Sequence, residues 1–322
     1  MPTRRALGAA ALSLLAAPAL RAQGAWPNRP VRLLVGFPPG GFTDVVARAI
    51  AEQYTAILGQ SFVVENRSGA SGTIAADAVA KAPADGSVLL LGHSTPNAVS
   101  AALFSNLPFD PQKDLTAVAQ LAVHPHLLVV PAASPFRTTA DLITAAKARP
   151  GAISFCSAGI GSVHHTACAM LAQKAGVEFT HVPYRGSGPA MADLIAGRVD
   201  MTIEGINTVG PLIEDGKLRP LAAGTLARIS RLPNLTTLQE QGYGDIDAQS
   251  WVGIFGPAGL PAAIVARLGT ASDQAMGAPA FQRILTTGGS IPANRRGADF
   301  QAFLALEIER YKAVLGDGKI AL

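Results

Sequence analysis

Residues 31–44 read VRLLVGFPPGGFTD: an apolar run, a turn rich in proline and glycine, then the polar start of a helix. Residues 44–58 carry Val46, Ile50, Tyr54 and Ile57 at steps of four, four and three, one stripe of a helix that faces a core. The same unit recurs along the chain. Apolar strand candidates lie at 31–36, 62–65, 88–91, 127–130, 153–156, 179–182, 201–203 and 221–224. Between them, residues 139–147, 166–175 and 190–196 read as amphipathic helices. Most of the strands are β-branched or leucine-rich without polar alternation, which predicts parallel strands covered on both faces. Strand–helix alternation throughout predicts an α/β fold.

The joints carry the functional signal. Five strands run into turns that open helices: PPGGFTD (38–44), RSGASGT (67–73), GHSTPN (92–97), SAGIGS (157–162) and YRGSGP (184–189). Glycine lets a backbone turn sharply and approach a ligand closely. A helix start presents unpaired N–H groups and partial positive charge, a site suited to anions. In parallel α/β sheets such turns gather at the carboxyl ends of the strands, where ligands bind. A single glycine-rich turn is ordinary punctuation. Three early and two in mid-chain predict two lobes facing each other across a cleft.

Composition narrows the class. Residues 1–22, MPTRRALGAAALSLLAAPALRA, place Arg4 and Arg5 before an apolar stretch and end in small residues, the pattern of a cleavable signal peptide. The paired arginines admit either general secretion or the twin-arginine route to the periplasm. The apolar stretch is shorter than the ~20 residues of a membrane span. The net charge of +4 includes three arginines in that leader and no acid, so +1 remains after its removal. No extended Lys/Arg cluster follows, which argues against nucleic acid as a partner. With 49% hydrophobic residues, the remaining ~300 positions suffice for two lobes with buried sheets. Cys156 and Cys168 are read as buried thiols.

Further along, the residues resemble a known family. Trp26–Arg32 (WPNRPVR), Phe37–Asp44 (FPPGGFTD), Glu65–Ile74 (ENRSGASGTI), Gly159–Ser162 with His165, and His181–Ala190 (HVPYRGSGPA) are similar, in order, to the substrate-binding proteins of tripartite tricarboxylate transporters, the TctC or Bug receptors. That resemblance implies a periplasmic-binding-protein-like fold, two α/β lobes joined by two crossing strands near 117–130 and 251–257. Lobe one would comprise 26–122 plus 254–322, and lobe two 123–253. It implies a monomeric receptor that captures a small carboxylate (a di- or tricarboxylate, acidic amino acid or related acid) for membrane components of a transporter. It needs no cofactor and performs no catalysis. By position, the resemblance assigns ligand contacts to Phe37, Gly41, Thr43, Asp44, Ser94 and Asn97 on one side. On the other it assigns Ser157, Gly161, Ser162, Tyr184, Gly186 and Ser187. Glycine amides and short hydroxyls donate to carboxylate oxygens without burying a full positive charge. The chain departs from the family pattern at Phe42, at the extra His164, at Thr166, and at Glu204, where an aspartate is more usual. Glu204 therefore stands either as a contact to a ligand ammonium or as a loop cap.

Other chemistries fare worse. Ser162, His165 and Asp193 invite a nucleophile triad, but no G-x-S-x-G elbow exists, and a serine opening a helix is the ordinary N-cap. His124 and His126 share a strand face without a third metal ligand nearby in sequence, and His164 and His165 point apart on a helix. Those histidines are expected to be structural or at the surface. A sensor input for a signalling partner, and less so a periplasmic hydrolase, stand as alternatives.

Overall fold

The strand that opens the domain is buried at every position but one. In β1 (Val31–Val35) only Arg32 is exposed, and its guanidinium pairs with Glu65 at 2.6 Å. The computed structural model describes residues 26–244 and 246–315; the predicted leader at 1–22 lies outside them. β1 runs parallel to both its neighbours, β2 (Phe62–Asn66) and β3 (Val88–His93). Crossovers are supplied by α1 (Phe42–Leu58) and α2 (Thr73–Ala80). The predicted stripe holds: Val46, Ile50 and Tyr54 are fully buried, and Ile57 packs partly buried at the edge of that core. After β3, a single π-helical turn (Thr95–Val99) leads into the short α3 (Ser100–Leu103).

β4 (Leu115–Pro131) is a strand of 17 residues that changes partners midway. From Leu115 to Pro125 it pairs antiparallel with β9 (Gln249–Pro257), which in turn pairs antiparallel with β3. From His126 onward it pairs antiparallel with β7 (Thr202–Gly205) and β8 (Leu218–Ala223). Pro125, which has no N–H to offer a ladder, is its last residue paired with β9. The sheet order is β10-β4-β9-β3-β1-β2, with β7 and β8 also on β4; β10 is Ile291–Pro292.

The middle of the chain adds α4 (Thr139–Ala148), β5 (Ile153–Ser157), α5 (Val163–Ala175), β6 (Phe179–Pro183), α6 (Ser187–Ile195) and α7 (Ile206–Glu214). β5 and β6 pair in parallel, and a bridge from Phe155 to Met201 links them to the start of β7. The C-terminal part returns through α8 (Ala262–Gly277), α9 (Pro279–Thr287) and α10 (Gly297–Leu315). α4 opens with a reciprocal cap: Thr138 accepts from the Asp141 amide while Asp141 accepts from the Thr138 amide.

Apolar side chains gather around two separate sets of strands. One set joins β1–β3, α1, the first half of β4, β9, α8 and α10, with Leu33, Ile50, Leu91, Ile254, Phe255 and Phe300 buried. The other joins the second half of β4 to α4, α5, β5, β7 and β8, with Leu128, Leu142, Phe155, Leu171 and Ile203 buried. Val163, at the first residue of α5, packs into the first set.

The α/β prediction stands, but the all-parallel expectation does not. β4, β7, β8, β9 and β10 pair antiparallel, so the sheet is mixed. Uninterrupted apolar runs follow from cover on both faces, and antiparallel strands so covered look the same in sequence. Several helices also start earlier than predicted. α1, α5 and α6 begin at Phe42, Val163 and Ser187, because their first turns are built from residues that composition assigns to loops.

Candidate functional site

Three early turns meet. A methyl at Gly36 would lie 2.6 Å from Gly72 Cα, and one at Gly72 would lie 3.2 Å from Pro96 and 3.3 Å from the Phe37 ring. Only glycine permits this approach of 38–44, 67–73 and 92–97. Asp44 holds the first turn in place. Its carboxylate, 3% exposed, accepts from the Gly40 amide and from Arg48 Nε, each at 2.9 Å. It also accepts from Asn66 Nδ2, which in turn donates to the Phe37 carbonyl. Burial raises its pKa, but the bonds from Arg48, Gly40 and Asn66 outweigh that and hold it below the ordinary value. Asp44 is therefore a loop tie; the N-cap position of α1 is Gly41, and the first amides of that helix have no intrahelical acceptor. Thr43 is buried beside it.

The two mid-chain turns are likewise tied to each other. The Gly186 amide donates to Ala158 O at 3.2 Å, and Tyr184 N donates to Ser157 O at 3.0 Å. Ser157 Oγ lies 2.7 Å from His181 Nε2. Ser162 caps α5: its hydroxyl accepts from His165 N and donates to the Gly159 carbonyl at 2.7 Å. Gly161 has φ +73, and a methyl there would lie 2.7 Å from Leu103, so this turn abuts α3 of the first set. Tyr184 donates to Asp193 at 2.7 Å, and Asp193 also pairs with Arg198. No triad forms. His165 Nδ1 accepts from the Gly161 amide, and its ring stacks on His181 at 4.1 Å.

Between the two sets lies a column of rings. Phe42 stacks on His124 at 4.4 Å, His124 meets His126 edge-on at 5.9 Å, and His126 stacks on His164 at 5.1 Å. Nearby, Phe37 meets His93 edge-on at 5.0 Å. His124 is 3% exposed and His126 2%, so the expectation that they are structural holds and the surface alternative fails. His124 Nδ1 contacts Ser290 Oγ at 2.9 Å and Nε2 contacts Asn207 Oδ1 at 2.5 Å. His126 Nε2 contacts Ser250 Oγ at 3.1 Å, while its Nδ1 is buried without a partner. Burial pushes the His93 ring down to about 3 and the His124 ring to about 4, and drives His126 well below 6.5; the neighbouring imidazoles add to it. These rings are neutral at neutral pH. Among the described residues no metal-binding group of His, Cys, Asp and Glu is present.

Glu204, at the end of β7, sits at the foot of this column and beneath both mid-chain turns. It is 3% exposed; it accepts from the Gly205 amide at 2.8 Å, from His164 Nε2 at 2.9 Å and from the Ser187 hydroxyl. Burial raises its pKa, but His164, Ser187 and Gly205 together hold it below the ordinary value. Loop capping is thus its observed role. Ser94 and Asn97 are fully buried: Asn97 Oδ1 accepts from the His93 amide, Ser94 Oγ lies 3.4 Å from His93 Nδ1, and Asn97 Nδ2 has no partner. The sequence pattern did not single out His93, Asn207, Ser250 or Ser290. Of this column it marked only His124 and His126, two apart on a strand.

An α/β chain with a mixed sheet, in which glycine-rich helix starts from two sets of strands meet around shared strands, has the architecture of a periplasmic solute-binding protein. The model of the tripartite tricarboxylate transporter family receptor, TctC, matches residues 46–319, and the chain belongs to that family. It is 41% identical over 279 residues to a UPF0065 protein from the tcbD-tcbE intergenic region of Pseudomonas sp. strain P51, covering 86% of this chain and 82% of the relative. Its fold matches R. palustris Rpa4515 with adipate at a TM-score of 0.85 and 38% identity, over 92% of this chain and 99% of that one. It matches the periplasmic binding protein BugD at a TM-score of 0.81 and 30% identity, over 92% and 99% of the two chains. The family, the fold and the solute-binding class agree with the motifs at 37–44, 65–74, 159–165 and 181–190.

Proposed function

We propose that this protein is exported to the periplasm, captures a small carboxylate in a cleft between two lobes, and delivers it to the membrane components of a tripartite tricarboxylate-type transporter. The lobes are residues 26–122 plus 254–322 and residues 123–253, with β4 and β9 as the crossing strands. It acts as a monomeric receptor and catalyses nothing. The observation that carries this reading is the meeting of glycine-built helix starts from both sets of strands around the ring column. Phe37, Gly41, Thr43, Ser94 and Asn97 then face the ligand from one lobe, and Ser157, Gly161, Ser162, Tyr184, Gly186 and Ser187 from the other. A ligand touching both sets favours the closed form, because only that form makes both sets of contacts. Related receptors support the ligand class, Rpa4515 being a structure with adipate.

A thermal-shift screen against mono-, di- and tricarboxylates, acidic amino acids and aromatic acids tests it, using protein unfolded and refolded to strip retained ligand. An acid at 100 times its Kd adds about 2.7 kcal/mol and shifts the midpoint clearly. Folded protein that responds to no acid would send the assignment back to a sensor or an enzyme.

A further inference from the structure

Resting on the receptor reading above, the charges that line the site assign its ligand class more narrowly. Glu204 is the deepest charged group there and touches both mid-chain turns, through His164 beside Ser162 and through Ser187. No lysine or arginine is buried among the described residues. Arg48, the cation nearest the first turn, is already paired with Asp44. The groups beside Glu204 are imidazoles, and the rings of His124 and His126 meet only hydroxyls, an amide oxygen and one another. A neutral imidazole nitrogen can donate or accept one hydrogen bond but cannot balance a charge. Two buried polar atoms without partners, His126 Nδ1 and Asn97 Nδ2, call for hydrogen-bonding groups of the same uncharged kind.

We propose that the receptor selects acids with a single carboxylate and an uncharged hydrogen-bonding group, such as a hydroxyl, at the other end. A dicarboxylate bridging the lobes has to place one carboxylate over the mid-chain turns, against ionised Glu204 and with no cation in reach. Like charges so placed are strongly unfavourable in a desolvated site. An ammonium end is also poorly served. Three of the four lone-pair sites of Glu204 are taken by Gly205, His164 and Ser187, and the remaining walls offer rings.

Isothermal titration at pH 7.5 decides it with chain-matched probes: 6-hydroxyhexanoate, 6-aminohexanoate and adipate, and in a second series 4-hydroxybenzoate and terephthalate. In at least one series the hydroxy acid is expected to bind roughly tenfold or more tightly than its diacid. Glu204→Gln is expected to close that gap by strengthening the diacid about tenfold while leaving the hydroxy acid within about twofold. Adipate or terephthalate binding as tightly as its hydroxy partner in wild type overturns the proposal whatever the variant does, and so does preference for the amino acid. Silence from every acid overturns the receptor reading instead, and this one with it.

Discussion

His124 spans the junction of the molecule: its Nε2 meets Asn207 Oδ1 at 2.5 Å and its Nδ1 meets Ser290 Oγ at 2.9 Å. Asn207 belongs to α7 and the mid-chain core; Ser290 precedes β10, which pairs with the first half of β4. A methyl on Gly205 would sit 2.6 Å from the same Nε2, so the ring has no room to turn. One neutral imidazole thus ties elements from both cores.

Asn207→Ala is expected to leave Nε2–H of His124 buried without an acceptor, and to cost about 1–3 kcal/mol. Urea unfolding followed by fluorescence measures it. A loss under half a kilocalorie would mean that water or a shifted neighbour satisfies the ring.

Acid should destabilise the protein earlier than its carboxylates alone dictate. His93, His124 and His126 are held down by burial in the folded protein, to about 3, to about 4 and well below 6.5. In the unfolded chain they titrate near 6.5. Below that pH the unfolded state binds more protons, so stability is complete above about 6.5 and falls as pH drops toward 4. Asp44 and Glu204, both held below their ordinary values, add a further loss at lower pH. Melting temperatures between pH 7.5 and 4.5 check this, and His126→Gln should flatten the slope. A melting temperature constant across that range contradicts it.

Ser162→Ala removes the cap of α5 and the bond to the Gly159 carbonyl. The expected loss is about 1 kcal/mol of stability. Carboxylate binding should weaken by ~1–2 kcal/mol, because the loop that presents its amides loosens. Calorimetry showing wild-type affinity would remove Ser162 from the site.

Gly253 marks the crossing strand β9. A methyl there would meet the Phe300 ring at 2.5 Å and the Ala119 carbonyl at 2.8 Å. Gly253→Ala should therefore destabilise by at least ~1–3 kcal/mol, since backbone on one side cannot yield. Denaturant midpoints report it, and Gly269→Ala, where a methyl meets nothing, is the control.

Cys156 and Cys168 are free and buried, and burial pushes the Cys156 thiol up to about 12 and Cys168 higher still. Neither should react with an aromatic disulfide reagent in the native protein, and both should react in urea. Rapid native labelling would show that β5 and α5 open.

Much of this was legible from local patterns. The α1 stripe of Val46, Ile50 and Tyr54 and the turns at 38–44 and 157–162 report periodicity and backbone geometry that few residue types satisfy. The ring column was not. His93, His124, His126 and His164 come from three elements, and nothing local to any of them shows that Phe42 will stack on one or Glu204 bond another. Strand direction was also hidden, because β9 and β1 are equally buried and therefore equally apolar.

By itself, then, the order of apolar runs, glycine turns and amphipathic helices determined an α/β receptor of this family, since periodicity and conformational permissiveness are properties of the chain. Only the tertiary structure decided that β4 changes sheets between Pro125 and His126, and that the imidazoles are buried and neutral beside Glu204. Register, desolvation and electrostatics at a junction depend on which distant residues are brought together, and no local window contains them.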